Sequence, residues 1–179
     1  MRLALAAFAV ALLPGVARAQ DLRGWIGAGG RNAIAPAYTD FGVYAMGGVW
    51  LLHEHVQPFA RVGWSQGGGP SSSLDAVRAG AGVAFGGALA RDRLWLGAAV
   101  AGEGMLVLAQ DGSQSSWLGM VALSGLADVR VWKRLLVGVE AGVDFFPSPL
   151  RAPSGALEWD VARFNAGLRL GVILGRAVD

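Results

Sequence analysis

Residues 135–145 read Leu-Leu-Val-Gly-Val-Glu-Ala-Gly-Val-Asp-Phe. Leu135, Val137, Val139, Ala141, Val143 and Phe145 take every second place, and Gly138, Glu140, Gly142 and Asp144 lie between them. Successive side chains of an extended chain point to opposite faces, so this spacing makes one apolar face and one of glycine and acid. The period returns elsewhere. Phe164, Ala166, Leu168, Leu170, Val172 and Leu174 oppose Asn165, Gly167, Arg169 and Gly171, and Val77, Ala79, Ala81, Val83 and Phe85 oppose Arg78, Gly80, Gly82 and Gly86.

The polar face decides the solvent. It carries one or two charges per segment among glycines and alanines. That is too few for a surface in water, as a soluble barrel with an apolar interior would require. It suits a narrow lumen, where small residues leave room and opposite charges pair. Composition agrees: 54% of residues are hydrophobic, 16% are charged, and mean hydropathy is positive. Spanning helices are excluded by length. Leu94–Gly102 is followed by Glu103, Trp117–Ala127 by Asp128 and Arg130, and Leu135–Val139 by Glu140. A spanning helix needs about 20 apolar residues and a spanning strand about 9–11. The expected fold is all-β, a closed antiparallel transmembrane β-barrel.

Eight segments fit, at about 22–30, 41–52, 57–66, 75–87, 93–107, 116–132, 134–146 and 158–175. Long or polar connections are expected at Arg31–Asp40, Gln66–Leu74, Gln110–Ser115 and Pro147–Leu157. Short ones are expected at His53–Val56, Ala90–Asp92 and Lys133. Short periplasmic turns alternating with longer extracellular loops are the habit of bacterial outer-membrane barrels, and they put both chain ends in the periplasm.

Residues 1–19 read as a cleavable secretory signal: Arg2, the uncharged apolar run Leu3–Leu13, then Ala17-Arg18-Ala19 as a small-x-small cleavage site. Residues 20–179 form a single barrel domain in this reading. Removing Arg2 and Arg18 takes the balance from 15 basic and 13 acidic residues to equality. The basic pI of about 9.7 therefore does not argue for nucleic acid. The chain has no cysteine, which excludes thiol catalysis and cysteine metal sites.

Trp25, Trp50, Trp95 and Trp132 fall near expected periplasmic ends, and Trp64, Trp117 and Trp159 near extracellular ends, with Tyr38, Tyr44 and Phe145 beside them. Amphipathic rings favour the two interfaces, so these seven tryptophans are read as a double aromatic girdle.

With these features the whole mature length resembles the small eight-stranded outer-membrane barrels of the OmpA/OmpX type. That resemblance rests on architecture. Barrels of the family commonly end in a polar-x-Gly-x-x-aromatic-x-aromatic assembly signal; Asn165, Gly167, Leu170 and Val172 fit its spacing with aliphatic residues, and the chain runs on to Asp179. The resemblance implies Gram-negative cell-outer-membrane localisation. The expected partners are outer-membrane lipid, lipopolysaccharide and the barrel-assembly machinery.

Candidate site residues are the lumen charges Arg61, Arg78, Glu103, Asp128, Arg130, Glu140, Asp144, Arg163 and Arg169. Glu140 with Arg169, Arg78 with Glu103, and Asp144 with Arg163 are the expected pairs, because pairing is how buried charge is ordinarily satisfied. His53-Glu54-His55 is the sole histidine cluster. It lacks a third ligand fixed by spacing and reads as a polar turn, so no metal or cofactor is expected. Ser71, Ser72, Ser73, Ser113, Ser115 and Ser116 fall in expected extracellular loops, opposite the histidines, so no nucleophile–base pair forms. The expected function is non-enzymatic, structural or surface-interacting, with a lumen closed by paired charges. The alternatives are a small pore and a lipid-modifying enzyme.

Overall fold

The computed structural model describes residues 23–35, 38–69, 72–90, 93–108, 116–146 and 162–174. The expected signal at 1–19, Trp159 and the connections at 109–115 and 147–161 lie outside the described residues. The strands are β1 (Arg23–Ala35), β2 (Tyr38–Trp50), β3 (Val56–Gly69), β4 (Ser72–Leu89), β5 (Leu94–Leu108), β6 (Ser116–Arg130), β7 (Leu135–Phe145) and β8 (Ala162–Leu174). Each pairs antiparallel with the next, and β1 pairs antiparallel with β8, so the sheet closes on itself. Closure leaves no unpaired edge, as a hydrocarbon solvent demands.

Burial follows the parity of the sequence. On β8, Arg163, Asn165, Arg169, Gly171 and Ile173 are buried, while Phe164, Leu168, Leu170, Val172 and Leu174 are exposed. On β7, Leu136, Glu140 and Asp144 turn inward and Val137, Val139 and Phe145 outward. Ile26, Val43, Val62, Phe85, Val100 and Leu123 carry the apolar wall around the remaining strands. A continuous surface of that kind aggregates in water and is at home in lipid. The chain is a transmembrane barrel turned inside out relative to a soluble one.

Two expected loops are largely strand. Arg31–Asp40 continues β1 and β2 with only residues 36–37 between them, and Gln66–Leu74 continues β3 and β4 around residues 70–71. Among the outward residues there, Asn32, Thr39 and Gln66 are polar and exposed, beside the exposed Ile34. Ladder pairing continues past the apolar band because backbone hydrogen bonds do not require apolar side chains. Polar composition at these hairpin tips therefore imitates a loop. For the same reason Ser72 and Ser73 belong to β4, and Ser116 to β6.

Candidate functional site

Inward residues form rows across the strands, and three rows share one arrangement. Arg169 on β8 stands opposite Gly138 on β7, which stands opposite Asp128 on β6. Arg61 on β3, Gly80 on β4 and Glu103 on β5 form a second row. Arg31 on β1, Gly167 on β8 and Glu140 on β7 form the third. Arginine and carboxylate are thus two strand spacings apart, roughly 10 Å between backbones, and the missing side chain of the middle glycine lets them meet above it. A Cβ at Gly138 would collide with Asp128 Oδ1 and lie 2.7 Å from Arg169 Nε; one at Gly80 would strike the Glu103 side chain; one at Gly167 would lie 3.2 Å from Glu140 Cγ. The space above these glycines is filled by neighbouring long side chains.

The contacts follow from the rows. Arg169 donates a two-pronged fork to Asp128, Nε to Oδ1 at 2.7 Å and Nη2 to Oδ2 at 2.5 Å. Arg61 donates to Glu103 through Nη2 and to Glu140 Oε1 through Nη1 at 3.4 Å. Arg31 Nε lies 3.5 Å from Glu140 Oε1 and its Nη1 3.6 Å from Glu103 Oε1, while Nη2 donates to Asp144. Towards the end away from Arg23 and Leu174, Asp40 accepts from Arg163 Nη1 at 2.8 Å and from Arg78 Nη2. Arg78 Nε donates to Ser65 Oγ at 3.1 Å, and Asn165 Nδ2 to Asp144 Oδ1 at 3.0 Å. Asp144 and Arg163 face each other in register, with Nη2 and Oδ2 3.6 Å apart. Five arginines (31, 61, 78, 163 and 169) and five carboxylates (40, 103, 128, 140 and 144) make this layer neutral.

Apolar side chains lie on both sides of the charged layer. At the end where β1 begins and β8 finishes, Trp25, Trp50, Phe59, Trp95, Leu136 and Ile173 pack together. At the other, Ala76, Met105, Met120 and Phe146 do so, with the Arg163 guanidinium 4.7 Å above the Phe146 ring. The cavity beside the Arg169–Asp128 fork has a volume of about 10 Å³, the lower limit for one water molecule.

This geometry corrects three expectations. Trp25, Trp50 and Trp95 are buried inside the barrel and are not part of an outward girdle. They share the inward parity, and the Trp95 ring occupies the space above Gly97 and Gly86. Their indole N–H groups find partners there. With its amide oriented to serve both, Gln57 Oε1 accepts from Trp25 Nε1 at 2.9 Å and Trp50 Nε1 at 3.0 Å, and the Glu54 carbonyl accepts from Trp95 at 2.7 Å. Trp64, Trp117 and Trp132 do face outward. Second, Arg169 bonds Asp128 and not Glu140, because Glu140 stands opposite Gly167, two residues from Arg169. Third, Arg78 bonds Asp40 and not Glu103: Glu103 stands opposite Gly80 and is taken by Arg61. Arg130 sits at the mouth of the short-turn end, 3.8 Å from Glu54.

Arg31, Asp40, Ser65 and Asn165 are members that the sequence reading leaves out. Arg31 keeps the inward parity of Gly27 and Gly29, and Asp40 that of Tyr44 and Met46, which is the signal that identifies them.

The His53–His55 turn is bent tightly, with Leu52, His53 and Glu54 at φ of 50°, 55° and 70°. This left-handed backbone costs side-chain-bearing residues roughly 1–2 kcal/mol each. Glu54 offsets part of it by accepting from Arg23 Nη1 at 2.7 Å. Both histidines are exposed, and His55 Nδ1 donates to the Gly86 carbonyl at 2.9 Å. Strands β4 and β6 run their full length between this turn and the Ser72, Ser73 and Ser116 backbones.

No family model matches the chain, and no curated protein resembles it in sequence. Solved structures do resemble it in shape. Neisserial surface protein A covers 86% of this chain and 96% of its own at 12% identity, with a TM-score of 0.57. A major outer membrane protein of Thermus thermophilus covers 85% and 99% at 11% identity, TM-score 0.55. Ail, the attachment invasion locus protein of Yersinia pestis, solved with the heparin analogue sucrose octasulfate, covers 86% and 97% at 8% identity, TM-score 0.53. The chain has the fold of the small eight-stranded outer-membrane barrels.

Proposed function

We propose that residues 1–19 are a cleaved export signal and that residues 20–179 form one barrel domain in the outer membrane of a Gram-negative cell. The protein is non-enzymatic, of structural or surface-interaction type. Its lumen is closed by paired charges between two apolar layers. Both chain ends and the short turns lie in the periplasm, and the longer connections face outward. Its partners are outer-membrane lipid, lipopolysaccharide and the barrel-assembly machinery. The supporting observation is the pairing of an apolar outer wall with a neutral, ion-paired interior. Each arginine of that layer touches at least one carboxylate, so among the described residues its charges are engaged with one another and not poised towards a passage or a substrate.

The expected result on cell fractionation is recovery with outer membranes, β-rich circular dichroism in detergent, and a gel mobility that changes on boiling. Without an edge from which to unravel, a closed barrel resists detergent until heated. A helical spectrum in the inner-membrane fraction would overturn the proposal.

A further inference from the structure

We infer that the outward face of β8, β1, β2 and β3 is the contact surface of a homodimer, in which Asn32 of each copy meets its mate near a two-fold axis parallel to the barrel axis. This rests on the membrane placement proposed above. Two observations meet on this face. The first is a groove of about 1000 Å³ in the apolar wall, floored by Ala28 and Gly30 of β1 and Ala45 of β2. Leu168 and Leu170 of β8 line one flank, in register with Gly30 and Ala28. Phe41 and Trp64 line the other, and a Cβ on Gly30 would lie 3.4 Å from the Phe41 ring. The second observation is Asn32, the next outward residue after Gly30 on β1, whose side chain is exposed. It stands in register between Ala166 and Phe41, and Ile34 follows it on β1 opposite Phe164. With Ile34 and Phe164 exposed beyond it, the amide is set within the apolar wall. Among the described residues its side chain makes no hydrogen bond.

The two features together select a second copy of this chain. Between surfaces that both face hydrocarbon the hydrophobic effect drives no association. Van der Waals packing and interchain hydrogen bonds do, and small residues let the backbones come close. An acyl chain fills the groove but offers the amide nothing, and an unmet amide in hydrocarbon costs free energy. A carboxamide carries an acceptor and two donors, so it pairs with a copy of itself. A two-fold contact is isologous, each patch meeting the same patch. With the axis parallel to the barrels, residues at one depth face their equivalents and the flanks exchange. Phe41 and Trp64 of one copy then face Leu168 and Leu170 of the other. Ala28, Gly30 and Asn32 share the centre line on β1, where the two walls come closest. An aromatic flank laid on an aliphatic one, over floors with no side chain beyond Cβ, fills both grooves at once.

The test is sedimentation equilibrium of the refolded mature barrel in density-matched micelles of an uncharged detergent. The wild type should dimerise with a measurable dissociation constant. Asn32→Ala should weaken it about 3- to 30-fold, the range that interchain hydrogen bonds supply inside membranes. Ala28→Leu/Ala45→Leu, which fills the floor with apolar side chains on a lipid-facing surface, should be monomeric. The chain has no cysteine, so a second arm places one at the centre of the patch. Ala28→Cys in lipid vesicles should give a disulfide-linked dimer on oxidation, and Val100→Cys, outward on β5, should not; this arm does not depend on the double variant folding. A monomeric wild type, with or without a lipid retained in the groove, overturns the inference. So do an unchanged constant in Asn32→Ala, a dimer that survives in the double variant, and equal cross-linking at positions 28 and 100. Flotation with the vesicles is read in parallel. A wild type that fails to insert would sink the membrane placement itself, whereas an inserted monomer would sink the dimer alone.

Discussion

Arg169→Ala is expected to destabilise the barrel by about 3–5 kcal/mol, read as a lowered urea midpoint for unfolding from lipid vesicles. The loss leaves the buried Asp128 carboxylate without the fork that Arg169 Nε and Nη2 supply. Asp128→Ala is expected to cost a similar amount, because it strands the guanidinium. The double variant should recover part of the loss, since two alanines leave no buried charge behind. Strict additivity of the two single effects would show that the fork contributes no coupling. The same experiment on Glu140 with Arg169 should give additive losses, since these two residues have separate partners.

Val139→Arg is expected to cost about 2–4 kcal/mol in the same assay. Val139 lies in the middle of β7, opposite Leu168 and Ala127, with half its surface outward. A guanidinium placed there enters hydrocarbon with no carboxylate on its face. Val131→Arg, which puts the same charge at the rim, should cost about 0–1 kcal/mol, because the penalty falls towards the interface. Equal costs at Val139 and Val131 would show that the outward wall is not a lipid-facing surface.

The strand count and the inward–outward parity were legible in the sequence because one solvent rule governs every strand. Leu135–Phe145 and Phe164–Leu174 alternate cleanly, since each outward place must be apolar and each inward place must fit a narrow lumen. The ion pairing was much less legible. Parity places Glu140 and Arg169 on the same side of the sheet but does not say that Gly138 and Gly167 lie between partners. Arg169 reaches across Gly138 to Asp128, and Arg31 across Gly167 to Glu140. Recognising those pairs needs the register of three successive strands, which segment boundaries uncertain by a few residues do not supply. Arg31 and Asp40 were hidden for another reason: the polar outward residues Asn32 and Thr39 beside them interrupt the apolar alternation, so a paired hairpin has the composition of a loop. Trp25, Trp50 and Trp95 sit near strand ends as interface residues do. Their parity, shared with Gly27, Met46 and Gly97, puts them inside, where Gln57 and the Glu54 carbonyl satisfy their ring N–H groups.

Glycine has a common role in these features. An inward glycine gives up its own volume to a neighbour two strands away or to an aromatic ring, so a glycine-rich inner face is compatible with a filled interior. At eight strands the space inside is just wide enough for side chains to fill. Steady single-channel recording of the refolded mature barrel in planar bilayers tests this account most directly. Closure of the lumen by the charged layer and its flanking apolar layers predicts a flat baseline, with no lasting conductance in the unmutated protein. A large, steady, ion-selective conductance would contradict it and establish a water-filled path past Arg31, Arg61 and Glu140.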